Sequence, residues 1–115
     1  METFKTYLQG AIETANKTEA ELIQTERKDE ANLQRIRANV YGICLTILEV
    51  VSKTKEDSAL WEEYLHKLTN LPKNWEISYE KAKAYNDVEK ILIEETKLEV
   101  LQEVKEKFLE LYKKK

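Results

Sequence analysis

Apolar residues recur at every third or fourth position along most of the chain, which is the spacing of one face of an α-helix. Residues that break helices are scarce, because the 115 residues include only two glycines and one proline. The pattern therefore predicts an all-α protein. The apolar stripe of the first half consists of Phe4, Leu8, Ala11, Ile12, Ala15, Leu22, Ile23, Leu33, Ile36, Val40, Ile43, Cys44, Ile47 and Val51.

A polar segment interrupts this stripe at 25–30, and the apolar spacing resumes in phase beyond it. Glu, Arg, Lys and Ala favour helix, and a turn gives no reason for the phase to be preserved, so we expect one continuous helix over 1–53. The alternative is a bend within 16–30. Asn16 would then end one helix, and the Thr-Glu-Ala-Glu sequence at 18–21 has the form of a capping box that begins another.

The second half of the chain is divided by Pro72. Apolar residues at helical spacing before the proline predict a short helix over 58–70. The residue that precedes a proline is displaced from helical geometry, which ends that helix. The same spacing beyond the proline predicts a second long helix over 74–112. No internal repeat is evident in the sequence.

Two long antiparallel helices and a short connecting helix, forming a single domain, would bury only a narrow apolar stripe. Charged residues make up 36% of the chain, against a usual ~25%, so much of each helix must face water. We therefore expect two chains to complete a four-helix bundle of coiled-coil type as a homodimer. Glycine inside a helix often permits a close helix crossing, which we expect at Gly42. The expected interface residues are Val40, Gly42, Ile43, Ile47, Ile91 and Leu98.

Charge and hydropathy exclude several classes of protein. The formal net charge is −3 and acids and bases are interspersed, whereas a nucleic-acid-binding protein carries a basic stripe. No apolar run approaches the ~20 residues that span a membrane, and the first residues do not resemble a signal peptide. The single cysteine, Cys44, permits no intrachain disulfide. We expect a cytoplasmic protein with no membrane partner, and the composition suggests a bacterial source.

The chain offers no catalytic or cofactor-binding pattern, so we do not expect an enzyme. Glu63 and His66 have the Glu-x-x-His spacing that holds metal in carboxylate bundles. A complete site of that type needs two such motifs, and His66 is the only histidine. The pair is therefore a weak metal candidate. Cys44 stands among apolar residues and is expected to be a core residue rather than a nucleophile.

Half of the ten aromatic residues lie between positions 61 and 85. One interpretation is an exposed recognition patch, because Trp and Tyr anchor many interfaces. Its residues would be Trp61, Tyr64, Trp75 and Tyr79. The other interpretation is a small core that fixes the short helix to the long ones, which is favoured because Trp61 and Tyr64 share a helix face.

The leading functional expectation is a small interaction protein, such as an adaptor, a regulator or an immunity-type factor, with an unknown protein partner. Two alternatives stay open. A metal-binding carboxylate bundle would use Glu63 and His66, with Glu94 or Glu95 as further ligands in a site formed across a dimer. A nucleic-acid-associated regulator would use the three arginines of the chain, Arg27, Arg35 and Arg37.

Overall fold

A computed structural model describes the backbone of residues 2–54 and 57–112, and within these ranges all the regular secondary structure is helical. The prediction of an all-α protein is therefore confirmed. None of the described helices combines the length and the apolarity required to cross a bilayer. The helices are α1 (Glu2–Gln24), α2 (Lys28–Thr54), α3 (Asp57–Asn70), α4 (Lys73–Ala84) and α5 (Val88–Leu111).

The predicted arrangement of two long helices and one short helix is wrong. A turn at 25–27 divides the expected helix over 1–53, inside the 16–30 range where a bend was the alternative. A second turn at 85–87 divides the expected helix over 74–112. The helices on the two sides of the first turn, α1 and α2, both pack against the same core. Apolar residues therefore recur at helical spacing before and after the turn. Phase alone therefore does not distinguish one helix from a hairpin.

The first turn has the hydrogen bonds of a Schellman motif. The backbone N–H of Arg27 donates to the carbonyl of Leu22 at 2.9 Å, and that of Glu26 donates to Ile23 at 3.1 Å. Glu26 adopts the left-handed conformation, with φ of 61°. The backbone carbonyl of Arg27 then accepts the N–H of Ala31, which begins the hydrogen-bonding of α2.

The second turn repeats this geometry. The backbone N–H of Asp87 donates to Ala82 at 2.9 Å, that of Asn86 donates to Lys83 at 3.1 Å, and Asn86 has φ of 57°. The side chain of Asp87 accepts the N–H of Lys90 at 3.2 Å and so caps α5. The two turns are therefore equivalent, and their left-handed residues are 60 positions apart.

The described part of the chain consists of two helical hairpins related by this offset. The first hairpin is α1 and α2. In the second hairpin, α3 and α4 form one arm that is broken at Leu71–Pro72, and α5 is the other arm. Few equivalent positions carry the same residue, so the repeat is one of structure. The equivalent buried pairs are Phe4 and Tyr64, Leu8 and Leu68, Val40 and Val100, Tyr41 and Leu101, Cys44 and Val104, and Leu48 and Phe108.

The second arms of the two hairpins, α2 and α5, run parallel and side by side. Residues 29–33 lie beside 88–93, and Arg37 reaches Glu103. Packing differs along the bundle, because α3 packs on both α2 and α5, whereas the extensive contact of α4 within the described chain is with α5. The Cα radius of gyration is 15.5 Å, against about 13 Å for a compact domain of this length.

The closed part of the bundle is rich in aromatic side chains, and we call it the aromatic end. Phe4 lies 5.7 Å from Tyr64 and 5.2 Å from Phe108, measured between ring centroids, in edge-to-face contacts. Such pairs stabilise a core beyond their burial. The indole N–H of Trp61 donates to the carbonyl of Tyr112. The two hairpins are thus joined where α1, α3 and the end of α5 meet.

Candidate functional site

One carboxylate joins α1, α2 and α5 at the middle of the bundle. The hydroxyls of Tyr7 and Tyr41 both donate to Oε2 of Glu103, at 2.5 and 2.6 Å, and the guanidinium of Arg37 donates to Oε1 at 3.3 Å. Burial and the bonds to Glu103 raise the pKa of Tyr41 to about 12 and move the pKa of Tyr7 well above its ordinary value. Both hydroxyls therefore stay protonated well into the alkaline range, as hydrogen-bond donors that hold three helices together.

The opposite part of the bundle is open, and a cleft lies there between the first turns of α2 and α5. We define the open end as residues 19–35 and 76–97, which include both hairpin turns. The cleft has a volume of about 510 Å³, which is in the range of ordinary binding pockets. Its floor is aliphatic and its edges are acidic. The lining residues are Asp29, Glu30, Asn32, Leu33, Val88, Glu89, Leu92 and Ile93.

The cleft lies between equivalent positions of the two hairpins. Asp29 and Glu89 are 60 residues apart and supply an acid from each side, and Leu33 and Ile93 supply an aliphatic side chain from each side. Acidic residues in the first turn of a helix stabilise its N-terminus, which accounts locally for Asp29 and Glu89. It does not account for the aliphatic floor between them, which faces open space.

No protein-family model, curated protein or solved structure matches this chain. The geometry of its own residues therefore carries the functional inference.

Three of the six expected interface residues, Gly42, Ile43 and Ile47, line one shallow depression on α2, and the other three lie elsewhere. Val40 is buried in the core, and Ile47 packs against it. Gly42 and Ile43 lie together on the outward face of α2 in a shallow depression. A Cβ at Gly42 would meet no atom of another described element within 4 Å, so Gly42 marks no close helix crossing within the chain. Ile91 and Leu98 lie on α5, partly buried.

The four aromatic residues of the expected recognition patch belong mainly to the core. Tyr64 is fully buried, and Trp61 and Trp75 pack against the core cluster. Tyr79 is partly exposed, and its hydroxyl donates to Glu95 at 3.3 Å. In this structure the packing interpretation describes Trp61, Tyr64 and Trp75 better than the recognition patch does.

The weak metal candidates are already paired with other groups. The carboxylate of Glu63 lies 3.8 Å from the ammonium of Lys67. The ring Nε2 of His66 lies 3.0 Å from the side-chain amide of Asn70. Across residues 2–54 and 57–112, no three acidic, histidine or cysteine side chains are grouped as metal ligands.

The cleft was not predicted from the sequence, and the structure also places a buried acid on α5. Glu94 is 4% exposed; its Oε1 accepts from Lys97 at 3.2 Å, and its Oε2 has no partner among the described residues. In the sequence, Glu94 interrupts the apolar stripe, and it is a candidate further ligand for the metal alternative. The cleft was missed because a continuous helix through 25–30 leaves no second helix start to line it. The Asn86-Asp87 pair was the usable signal, since Asn tolerates the left-handed conformation and Asp caps helices.

Proposed function

We propose that this chain is a small non-enzymatic interaction protein that binds another protein through the open end. The number of exposed apolar side chains within the open end carries this proposal, together with the cleft that Val88 and Leu92 line. Scattered exposed apolar residues are ordinary on a soluble protein, whereas a group of them marks a binding surface. Five of the seven large apolar side chains that are exposed in the described chain belong to the open end: Ile23, Ile77, Tyr85, Val88 and Leu92.

The arrangement of the helices also supports the open end as the binding surface. The break at Leu71–Pro72 separates α4 from α3, and α4 then packs on α5 without completing a four-helix core. Tyr85, at the second turn, is 84% exposed. The open end therefore offers apolar area and a preformed cleft, while the aromatic end is packed as a core.

The two alternative functions gain no specific support. Glu63 and His66 interact with neighbours on their own helix. Each arginine forms an ion pair with an acidic side chain, which lowers its availability to phosphate. These pairs are Arg27 with Glu30, Arg35 with Glu19, and Arg37 with Glu103.

Affinity capture that compares matched variants tests the proposal. Leu92→Gln removes an exposed side chain from the cleft, and Val50→Gln removes an exposed aliphatic side chain of α2 that lines neither the cleft nor the depression at Gly42. Both variants should keep the helical circular dichroism of the parent. We expect a partner that the parent and Val50→Gln retain and that Leu92→Gln loses. Equal recovery by all three proteins would contradict the proposal.

Self-association through the outward face of α2 is a second proposal, favoured by the open space around Gly42 and the exposure of Ile43 beside it. Gly42→Leu should leave the monomer folded, because a Cβ there meets no other element. If two copies pack across this face, the parent will have the mass of a dimer in light scattering and Gly42→Leu will shift it toward the monomer. A parent with the monomer mass, or an unchanged dimer mass in the variant, would rule out this interface.

A further inference from the structure

The chemistry of the cleft indicates a partner. We propose that the cleft binds a cationic amphipathic helix of another protein, an inference that rests on the proposed function and specifies its partner. The aliphatic floor accepts apolar side chains that recur at helical spacing, and the acidic edges pair with lysine or arginine beside them. This is the helix-in-groove mode of recognition.

The charged side chains that line the cleft are all acidic. Three carboxylates and no basic side chain line it. Glu30 pairs with Arg27, whereas Asp29 and Glu89 have no cationic partner within 4.0 Å in the part of the chain that the structure describes. Asp29 belongs to the first turn of α2 and Glu89 to the first turn of α5, so each helix supplies one such acid to the cleft. The open end contains eleven acids and seven bases, a formal charge of −4, so the remainder of the chain carries +1.

The shape of the cleft favours a helix as its occupant. The two parallel helices α2 and α5 border a groove that is open to solvent, and a third helix can lie along such a groove with one apolar face inward. A segment with apolar residues at positions i, i+3, i+4 and i+7 would contact Leu33, Leu92 and Ile93. Its flanking cations would lie near Asp29 and Glu89.

The same charge disfavours two other occupants. A second copy of the open end would bring two acidic surfaces together, and like charges facing each other across an interface oppose association. An anionic membrane surface attracts basic segments and repels an acidic one. A basic protein helix satisfies both the apolar floor and the acidic edges.

Fluorescence anisotropy on the full chain with synthetic peptides tests this inference. The probe is a labelled peptide of about 18 residues, or five helical turns, made of leucine and lysine with leucine at i, i+3, i+4 and i+7. One control keeps the leucines and replaces lysine by glutamate, and the other scrambles the leucine-lysine order. We expect the leucine-lysine peptide alone to bind well, with an affinity that falls as salt is raised.

Variants locate the binding to the cleft. Leu92→Gln should weaken it about fivefold or more, and Asp29→Asn combined with Glu89→Gln should weaken it by a similar factor and reduce its salt dependence. Val50→Gln is the apolar control, and Glu13→Gln combined with Glu49→Gln is the matched charge control, all at exposed positions outside the open end. Neither control should change the affinity appreciably.

Several results would overturn the inference. These are no binding of the leucine-lysine peptide, equal binding of the glutamate or scrambled peptide, and equal affinity for parent and cleft variants. A dimer that Leu92→Gln dissociates would identify a second copy as the occupant instead. If the glutamate peptide bound at the cleft, the cationic partner would be wrong and the interaction function would remain. The interaction function itself would be contradicted only if Leu92→Gln recovered the captured partner as well as the parent does.

Discussion

The side chain of Tyr64 contacts both hairpins. Its ring contacts Phe4 and Phe108, and its hydroxyl donates to the backbone carbonyl of Cys44 at 2.9 Å inside the core. The sequence indicated a core role for Tyr64 because it shares a helix face with Trp61. The hydrogen bond to Cys44 could not be predicted, since it depends on how the second hairpin packs on the first.

We expect Tyr64→Phe to lower the free energy of unfolding by about 1 kcal/mol, because it removes a buried hydrogen bond and keeps the ring contacts. Urea denaturation followed by circular dichroism measures this value. Tyr79→Phe is the matched control, since its 3.3 Å bond to Glu95 lies at the surface and its loss should cost less than about 0.5 kcal/mol. Equal losses in the two variants would show that the Tyr64 hydroxyl contributes no more than a surface bond.

Alkaline pH should destabilise the fold through its buried tyrosines. Burial raises the pKa of Tyr41 to about 12 from an ordinary value near 10, and it also raises the pKa of Tyr7 and of Tyr64. A raised acid pKa means that folding favours the protonated form. The stabilisation is therefore complete below about pH 10 and is lost as the pH rises toward the folded pKa.

Ultraviolet titration of tyrosinate, with circular dichroism on the same samples, checks this expectation. Some tyrosines should ionise only together with the loss of helix. In Tyr41→Phe the loss of stability above pH 10 should be smaller than in the parent. Ionisation of every tyrosine in one step, with the helical spectrum preserved, would show that the raised pKa values are absent.

At the scale of elements, the helices were more predictable than the turns that join them. The spacing of apolar residues reports which face of a helix is buried, and it predicted the all-α fold and the short helix before Pro72. A turn such as that at Glu26 gives little local signal, because glutamate in the left-handed conformation is intrinsically unfavourable and is held there by the packing of α1 on α2. The cleft forms only if both turns are present, so it could not be predicted from the sequence for the same reason.

Glu26→Gly should therefore stabilise the protein, by about 0.5–1 kcal/mol, because glycine adopts φ of 61° without steric cost. Asn86→Gly should give a smaller change, since asparagine already tolerates this conformation. Glu21→Gly, inside α1, should destabilise by about 1 kcal/mol through the ordinary cost of glycine in a helix. Chemical denaturation compares the three variants. A loss of stability in Glu26→Gly as large as in Glu21→Gly would mean that residue 26 is helical.

The whole molecule combines two equivalent hairpins that differ in one arm. The first arm of the first hairpin is the continuous helix α1, whereas the first arm of the second hairpin is broken at Leu71–Pro72. As a result, the aromatic end is closed and the open end is not. Proline at 72 was recognised from the sequence as a helix boundary. Its larger effect, a change of packing partners between α3 and α4, could be seen only once α2 and α5 were placed side by side.

The pairing of α1 with α2 has a consequence for the order of folding. This is the most extensive helix–helix contact of the described chain, and it joins segments that are neighbours along the sequence. Local contacts form quickly, and an N-terminal unit emerges first during synthesis. The first hairpin should therefore form before the second. The contacts of Phe4 with Tyr64 and Phe108, which close the aromatic end, should form only when the second hairpin folds. Pulsed hydrogen exchange during refolding should show amides of α1 and α2 protected earlier than those of α4 and α5.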